Sequence, residues 1–243
     1  MEGRRKFRRE GEERRRQDLI EATLECVAER GLQGATVRAI ALRAGVTAGL
    51  IRHYFPSKEE LLQAAYAAIM GRMTEQSKAA LAKVAQEPRR RLAAFVEASL
   101  QPPVIDARVF SQWASFIGRA SSDPALAVAH RAGYLGFRDE VEALVAEVLT
   151  ATGRDAPKAE LRRYAIAINA IIDGLWIEGC LAGDFFEPRE LAEIGIGSVE
   201  DMLGLKLRQP TAPPLPPLDG EGAGAPTSPV FDVAVQKQKK KTP

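Results

Sequence analysis

From Ile20 to Leu205 the apolar residues of this chain recur at intervals of three and four. No run of alternating β-branched residues bounded by turns interrupts them. That spacing is the period of an amphipathic helix, so the fold is expected to be all-α. The first cycle runs through Ile20, Thr23, Leu24, Val27 and Ala28 and stops at Gly31. Thr36 then caps a short segment with Val37, Ile40 and Ala41 inward, ending at Ala44-Gly45. Thr47 caps a second short segment carrying Leu50, Ile51 and Tyr54. Ser57-Lys58-Glu59-Glu60 reads as a capping box opening a longer helix through Leu61, Leu62, Ala65 and Ile69. Past residue 80 the helices lengthen, with expected spans of 88–100, 106–120, 124–151, 157–182 and 188–205. Asp123-Pro124 supplies one start, a capping side chain followed by proline at the first helical position.

Charge is placed unevenly along this pattern. Residues 1–58 hold 13 Lys and Arg against 8 Asp and Glu, whereas residues 59–207 hold 16 against 21. A basic front on an acidic body suits a front that meets a polyanion. Residues 1–12 read as a flexible basic arm. From residue 208 to 243, 8 of 36 residues are Pro and the apolar positions have no period, so this tail is expected to be disordered. Its Gln236-Lys237-Gln238-Lys239-Lys240-Lys241 end is either a solvated tail or a source of non-specific DNA attraction.

Chemistry of the reactive kind finds little to work with. Two cysteines, Cys26 and Cys180, exclude a disulfide framework and a multi-cysteine zinc site. Two histidines, His53 and His130, leave little for metal or acid–base work, and there is no Gly-rich phosphate loop or nucleophile elbow. An enzyme is not expected, nor a cofactor or metal. The charged start has no apolar stretch of the secretory kind, so the cytoplasm is the expected location. Between Tyr164 and Ala182 only Asp173 and Glu178 are charged. Two acids within 19 residues make a poor membrane span, and a helix shared between the body and a subunit interface fits better.

Two short helices joined at Ala44-Gly45-Val46 have the geometry of a helix-turn-helix, either the DNA-binding unit whose second helix enters the major groove or one of the glycine-separated helix pairs found in many other folds. The run from Gly45 to Leu62, Gly-Val-Thr-Ala-Gly-Leu-Ile-Arg-His-Tyr-Phe-Pro-Ser-Lys-Glu-Glu-Leu-Leu, closely resembles the signature of TetR-family transcriptional regulators. Ile20 to Leu24, Gly31 and Ala35 to Ala41 are similar to that family's first two helices. Ala48 and Arg52 stand where the family usually carries Lys and Tyr. The resemblance implies a DNA-binding domain over 13–73 and a ligand-sensing, dimerising domain over 74–207. It also implies a homodimer joined by the last two helices, on a palindromic double-stranded operator released by a small molecule. Carried over residue by residue, Thr36, Thr47, Tyr54 and Lys58 reach phosphates or base edges, and Arg38, Arg52 and His53 add charge or donors. Val37, Ala48 and Gly49 complete that face, Gly49 allowing close approach of the backbone. Arg14, Arg15 and Arg16 either grip a neighbouring phosphate or are a solvated run.

A narrower resemblance singles out the sensor. Phe110-Ser111-Gln112-Trp113-Ala114-Ser115-Phe116 and Ala170-Ile171-Ile172-Asp173-Gly174-Leu175-Trp176 are similar to segments of the choline-responsive, BetI-type branch of the same family. A quaternary ammonium cannot donate a hydrogen bond, so proteins hold it against aromatic faces. Phe110, Trp113, Phe116, Tyr134, Phe137, Asp173 and Trp176 are therefore the candidate ligand residues. The same aromatics at helical spacing also suit a plain core. Asp173 pairs either with a ligand cation or with another helix, and His130 reads as a core or interface residue. A hydrophobic drug-like molecule or an acyl-CoA is the alternative effector.

Overall fold

The computed structural model describes residues 2–84 and 86–208, the side chains of 2–10 apart. Among these residues there are nine α-helices and no strand. They are α1 (Glu2–Gly34), α2 (Val37–Ala44), α3 (Ala48–Tyr54), α4 (Lys58–Leu81), α5 (Pro88–Ser99), α6 (Ala107–Ala120), α7 (Pro124–Ala151), α8 (Lys158–Ala182) and α9 (Glu190–Leu203). The five later helices start and stop within two residues of the expected spans. Two expectations for the ends fare differently. Residues 2–12, read as an arm, have helical backbone continuous with α1, whereas residues 209–243 lie outside the described residues.

Caps explain where the front helices begin. The Thr36 hydroxyl accepts from the Ala39 amide at 3.2 Å, Thr47 from Leu50 at 3.2 Å and Ser57 from Glu60 at 3.1 Å. Each satisfies an amide that has no partner inside its own helix. Gly45 ends α2 with φ 64°, a left-handed conformation that glycine adopts without strain. Its positive φ turns the chain sharply enough to set α3 across α2. Arg43 then ties α2 back to α1, meeting Glu25 at 3.0 Å and also Glu29.

The helices enclose two apolar clusters. The lower one joins Leu19, Leu24, Ile40, Ile51, Phe55, Leu61 and Tyr66 to Phe116 and Leu126. The upper one contains Leu92, Phe95, Val141, Val145, Ile168, Trp176, Ile196 and Val199. Met73 on α4 and Trp113 on α6 pack against both. Helix α4 therefore runs from the helix-turn-helix into the body without a break, and the boundary expected at residue 73 falls inside it. In the upper cluster Phe95 is wholly buried, its ring 5.1 Å from that of Phe137. Phe95→Ala is expected to lower the unfolding free energy by about 3–5 kcal/mol, read from urea denaturation. A loss below about 1 kcal/mol would mean that this core is loosely packed.

Helix α8 with the turn after it, Lys158–Phe185, is long and apolar enough to cross a membrane by length and composition, but only 33% of its most apolar window is buried within the chain. Ile166, Leu181 and Phe185 stand exposed there, and Ile194 is exposed on α9.

Candidate functional site

The front of the chain offers one polar, accessible face. Thr36, Arg38, Thr47, Ala48, Gly49, Arg52 and His53 are exposed, and Val37 and Tyr54 are half-buried. The short α3 puts Ala48 and Gly49 in its first turn, where no large side chain holds a partner at a distance. The His53 and Tyr54 rings meet edge to face at 5.1 Å, which places the imidazole beside the phenol. Ile51 and Phe55 point inward and are buried, so they anchor the helix. Lys58 is turned differently from the expected phosphate reach. Its ammonium donates to the Leu32 carbonyl at 3.2 Å, closing the end of α1. The Arg16 guanidinium lies over the Phe55 ring at 4.8 Å, and Arg15 pairs with Asp18 at 3.9 Å.

In the body, a cavity of about 210 Å³ opens between α4, α6, α7 and α8. Trp113, Tyr134, Phe137, Asp173 and Trp176 all line it, so five of the seven candidate ligand residues converge. The two indoles meet edge to face at 5.3 Å. Trp176 is fixed from behind, donating its Nε1–H to the Val104 carbonyl at 2.9 Å. Phe110 packs against Trp176 at 5.5 Å without lining the cavity. Phe116 lies in the lower cluster, stacked on Tyr66 at 4.9 Å.

One carboxylate faces this aromatic wall, and it is held by donors without a basic side chain. The Asn169 side-chain amide donates to Asp173 Oδ2 at 2.6 Å and to the Tyr134 hydroxyl at 2.8 Å. Tyr134 in turn donates to the same Oδ2 at 3.3 Å. Burial pushes the Asp173 carboxyl above its ordinary value, against the downward pull of the Tyr134 and Asn169 hydrogen bonds. The same burial, with the nearby Asp173 charge, raises the Tyr134 phenol. Among the described residues no Lys or Arg lines the cavity, and Asp173 is the one acidic residue there. A site of this composition attracts a compact cation and repels an anion.

His130 also lines the cavity, on the side where Met70, Met73, Thr74 and Ser77 enter from α4. Its Nδ1 lies 2.9 Å from the Tyr66 hydroxyl, and burial lowers its proton affinity. Read from sequence as a core or interface residue, His130 is half-buried and stands on the cavity wall. Asn169 escaped notice as well. Its spacing of four from Asp173 and seven from Trp176, which puts all three on one helical face, was the available signal. The α4 residues had no such signal, because only the packing of α4 on α7 brings them there.

Comparison with known proteins agrees with both halves. Residues 19–65 match the family of bacterial regulatory proteins described as the tetR family, and residues 88–204 match the C-terminal part of BetI-type transcriptional repressors. The HTH-type transcriptional regulator BetI of Burkholderia mallei (strain NCTC 10229) is 30% identical over 189 residues, 78% of this chain and 93% of that one. Its counterpart from Paraburkholderia phymatum is 32% identical over 198 residues, 82% and 95% of the two chains. Among solved structures, a transcriptional regulator from Pseudomonas aeruginosa PAO1 superposes with a TM-score of 0.72 at 33% identity, over 79% of this chain and 91% of that one. A regulator from Saccharomonospora viridis in complex with choline shares the fold, with a TM-score of 0.58 at 22% identity, over 78% and 95%.

Proposed function

The chain belongs to the TetR family of transcriptional regulators, with a BetI-type C-terminal part, and on that premise we propose that it is a repressor released from its operator by choline or a related quaternary ammonium. The observation that carries this reading is the lining of the cavity. Trp113, Tyr134, Phe137, Trp176 and the Asp173 carboxylate surround it together with the His130 imidazole, and among the described residues no Lys or Arg does. A quaternary ammonium needs aromatic faces and a counter-charge and no hydrogen-bond acceptor, and this wall offers those first two. The neighbour with choline shares the fold and no more, so the weight rests on the cavity itself.

The alternative effectors suit it less. About 210 Å³ is small beside the ~300–1,000 Å³ typical of sites for drug-sized molecules. An acyl-CoA would bring phosphates to a wall that has no Lys or Arg among the described residues.

In the proposed division, residues 13–73 read DNA and residues 74–207 sense the ligand and dimerise. The exposed apolar side chains of α8 and α9, Ile166, Leu181 and Ile194, would be covered by a second copy. Two recognition helices set about 34–36 Å apart would then meet successive turns of a palindromic operator through Thr36, Thr47, Arg52 and their neighbours. A ligand that prefers a body with another spacing weakens DNA binding by linkage. The controlled genes would include those for glycine betaine synthesis.

A gel shift with the DNA upstream of the protein's own gene tests this reading. Millimolar choline should dissolve the complex, while glycine betaine at the same concentration should leave most of it, because its carboxylate meets Asp173 without a compensating cation. A complex indifferent to choline would overturn the ligand assignment.

A further inference from the structure

We propose that the hydrogen bond between His130 and Tyr66 is the link through which the cavity and the DNA-reading helices sense each other. The proposal rests on reading this cavity as the effector site. Tyr66 belongs to α4 and is wholly buried in the lower cluster, the one that holds Ile51 and Phe55 of α3. Its ring lies flat on Phe116, 4.9 Å away and inclined by 14°. Its hydroxyl meets His130 Nδ1 at 2.9 Å. On its other side the imidazole stacks on Tyr134 at 5.5 Å, and Tyr134 donates to Asp173. A continuous file of packed groups therefore runs from the carboxylate in the cavity to the core beneath the recognition helix.

The file has little slack. One turn along α7 from His130, Gly133 allows the backbone to press against α4. A Cβ there would come within 2.6 Å of Met70 Cβ, closer than any side chain allows. Packed interiors pass displacements on instead of absorbing them. A cation seated against Tyr134 that shifts this ring must shift His130, and Tyr66 cannot follow without moving α4. Tyr66 also depends on the contact chemically. Burial raises its phenol to about 12, so it keeps its proton, and His130 Nδ1 is the hydrogen-bond partner facing it. Breaking the bond leaves a buried hydroxyl unpaired.

Coupling between two sites is reciprocal, so operator binding must also be felt in the cavity. This allows a test that needs no ligand. Trp113 and Trp176 are the two tryptophans of the whole chain, and both line the cavity. Operator duplex, recovered by selection from a random-sequence pool, is titrated into the full-length protein while tryptophan emission and operator affinity are both followed. Wild-type emission should change as the operator saturates. In Tyr66→Phe and His130→Phe the change should fall to less than about half, with operator affinity within about threefold of wild type. His130→Asn, which keeps a hydrogen-bonding group near the Nδ1 position, should restore most of the change, whereas loss of packing alone would not be rescued.

Wild-type emission that ignores the operator, or a full change surviving both substitutions, would overturn the link. Should His130→Phe fail to fold, the milder Tyr66→Phe decides the matter alone. Adding choline to the same titrations separates the two readings. If choline leaves wild-type operator affinity untouched while the emission change still depends on Tyr66 and His130, the link stands and the choline assignment falls.

Discussion

Asp173→Asn is expected to weaken choline binding by about 10- to 100-fold, the loss of one charge partner at short range in a partly desolvated site. Asparagine is nearly isosteric and can still accept from Asn169 and Tyr134, which now share Oδ2 of Asp173. The variant therefore removes the charge and keeps the wall. Titration of tryptophan emission with choline measures the effect directly, since both indoles line the cavity. Wild-type affinity in this variant would make the carboxylate a structural partner of α7 and not a ligand group.

The same substitution should stabilise the empty protein at neutral pH. Burial raises the folded-state pKa of Asp173 above its unfolded value. Below the unfolded value, near about 4, both states carry the neutral acid and no penalty exists. Between the unfolded value and the raised folded one, the unfolded chain gives up its proton first and the penalty for folding grows. Above the folded value the penalty is complete. The melting temperature of Asp173→Asn should accordingly exceed that of wild type at pH 7, with the gain shrinking as pH falls toward 4. A bound cation favours the ionised carboxylate, so choline affinity should rise with pH across that window. A gain independent of pH would mean that something other than the charge is responsible.

Much of this site was legible in the sequence, for local reasons. Thr36, Thr47, Ser57 and Asp123 announced helix starts because capping is a bond within four residues of the chain. Trp113, Tyr134, Phe137, Asp173 and Trp176 announced themselves as aromatic and acidic residues on apolar helices. Phe110 and Phe116 show where such reading stops. Helical spacing names a face but not a depth. Residues 110, 113 and 116 climb about 4.5 Å per step along the axis, and a small cavity is shorter than the whole climb. Trp113 reaches the cavity, Phe110 packs behind Trp176, and Phe116 drops into the lower cluster against Tyr66. His130 and the α4 residues depend on the pairing of α4 with α7, which no local pattern encodes. The turn of Lys58 toward the Leu32 carbonyl is of the same kind, a contact across 26 residues.

At the other end of the molecule, Gly49 should separate folding from DNA binding. It is an exposed residue in the first turn of α3, with ordinary helical conformation and open space around it. A Cβ placed there meets nothing closer than the Thr47 hydroxyl, at 3.8 Å. Glycine inside a helix costs up to about 1 kcal/mol relative to alanine, so Gly49→Ala should raise the melting temperature. Gly49→Glu should fold equally well, since a carboxylate in the first turn of a helix sits favourably against its dipole. If the proposed face enters the groove, nothing in the fold requires glycine here, and only the approach of DNA does. Gly49→Glu should then weaken operator binding by about 100-fold or more, because each protomer of a dimer would bring a bulky anion to the phosphates. A gel shift and a thermal melt on the same preparation read both effects. Operator affinity unchanged in Gly49→Glu would place the first turn of α3 away from DNA and overturn the assignment of this face as the reader.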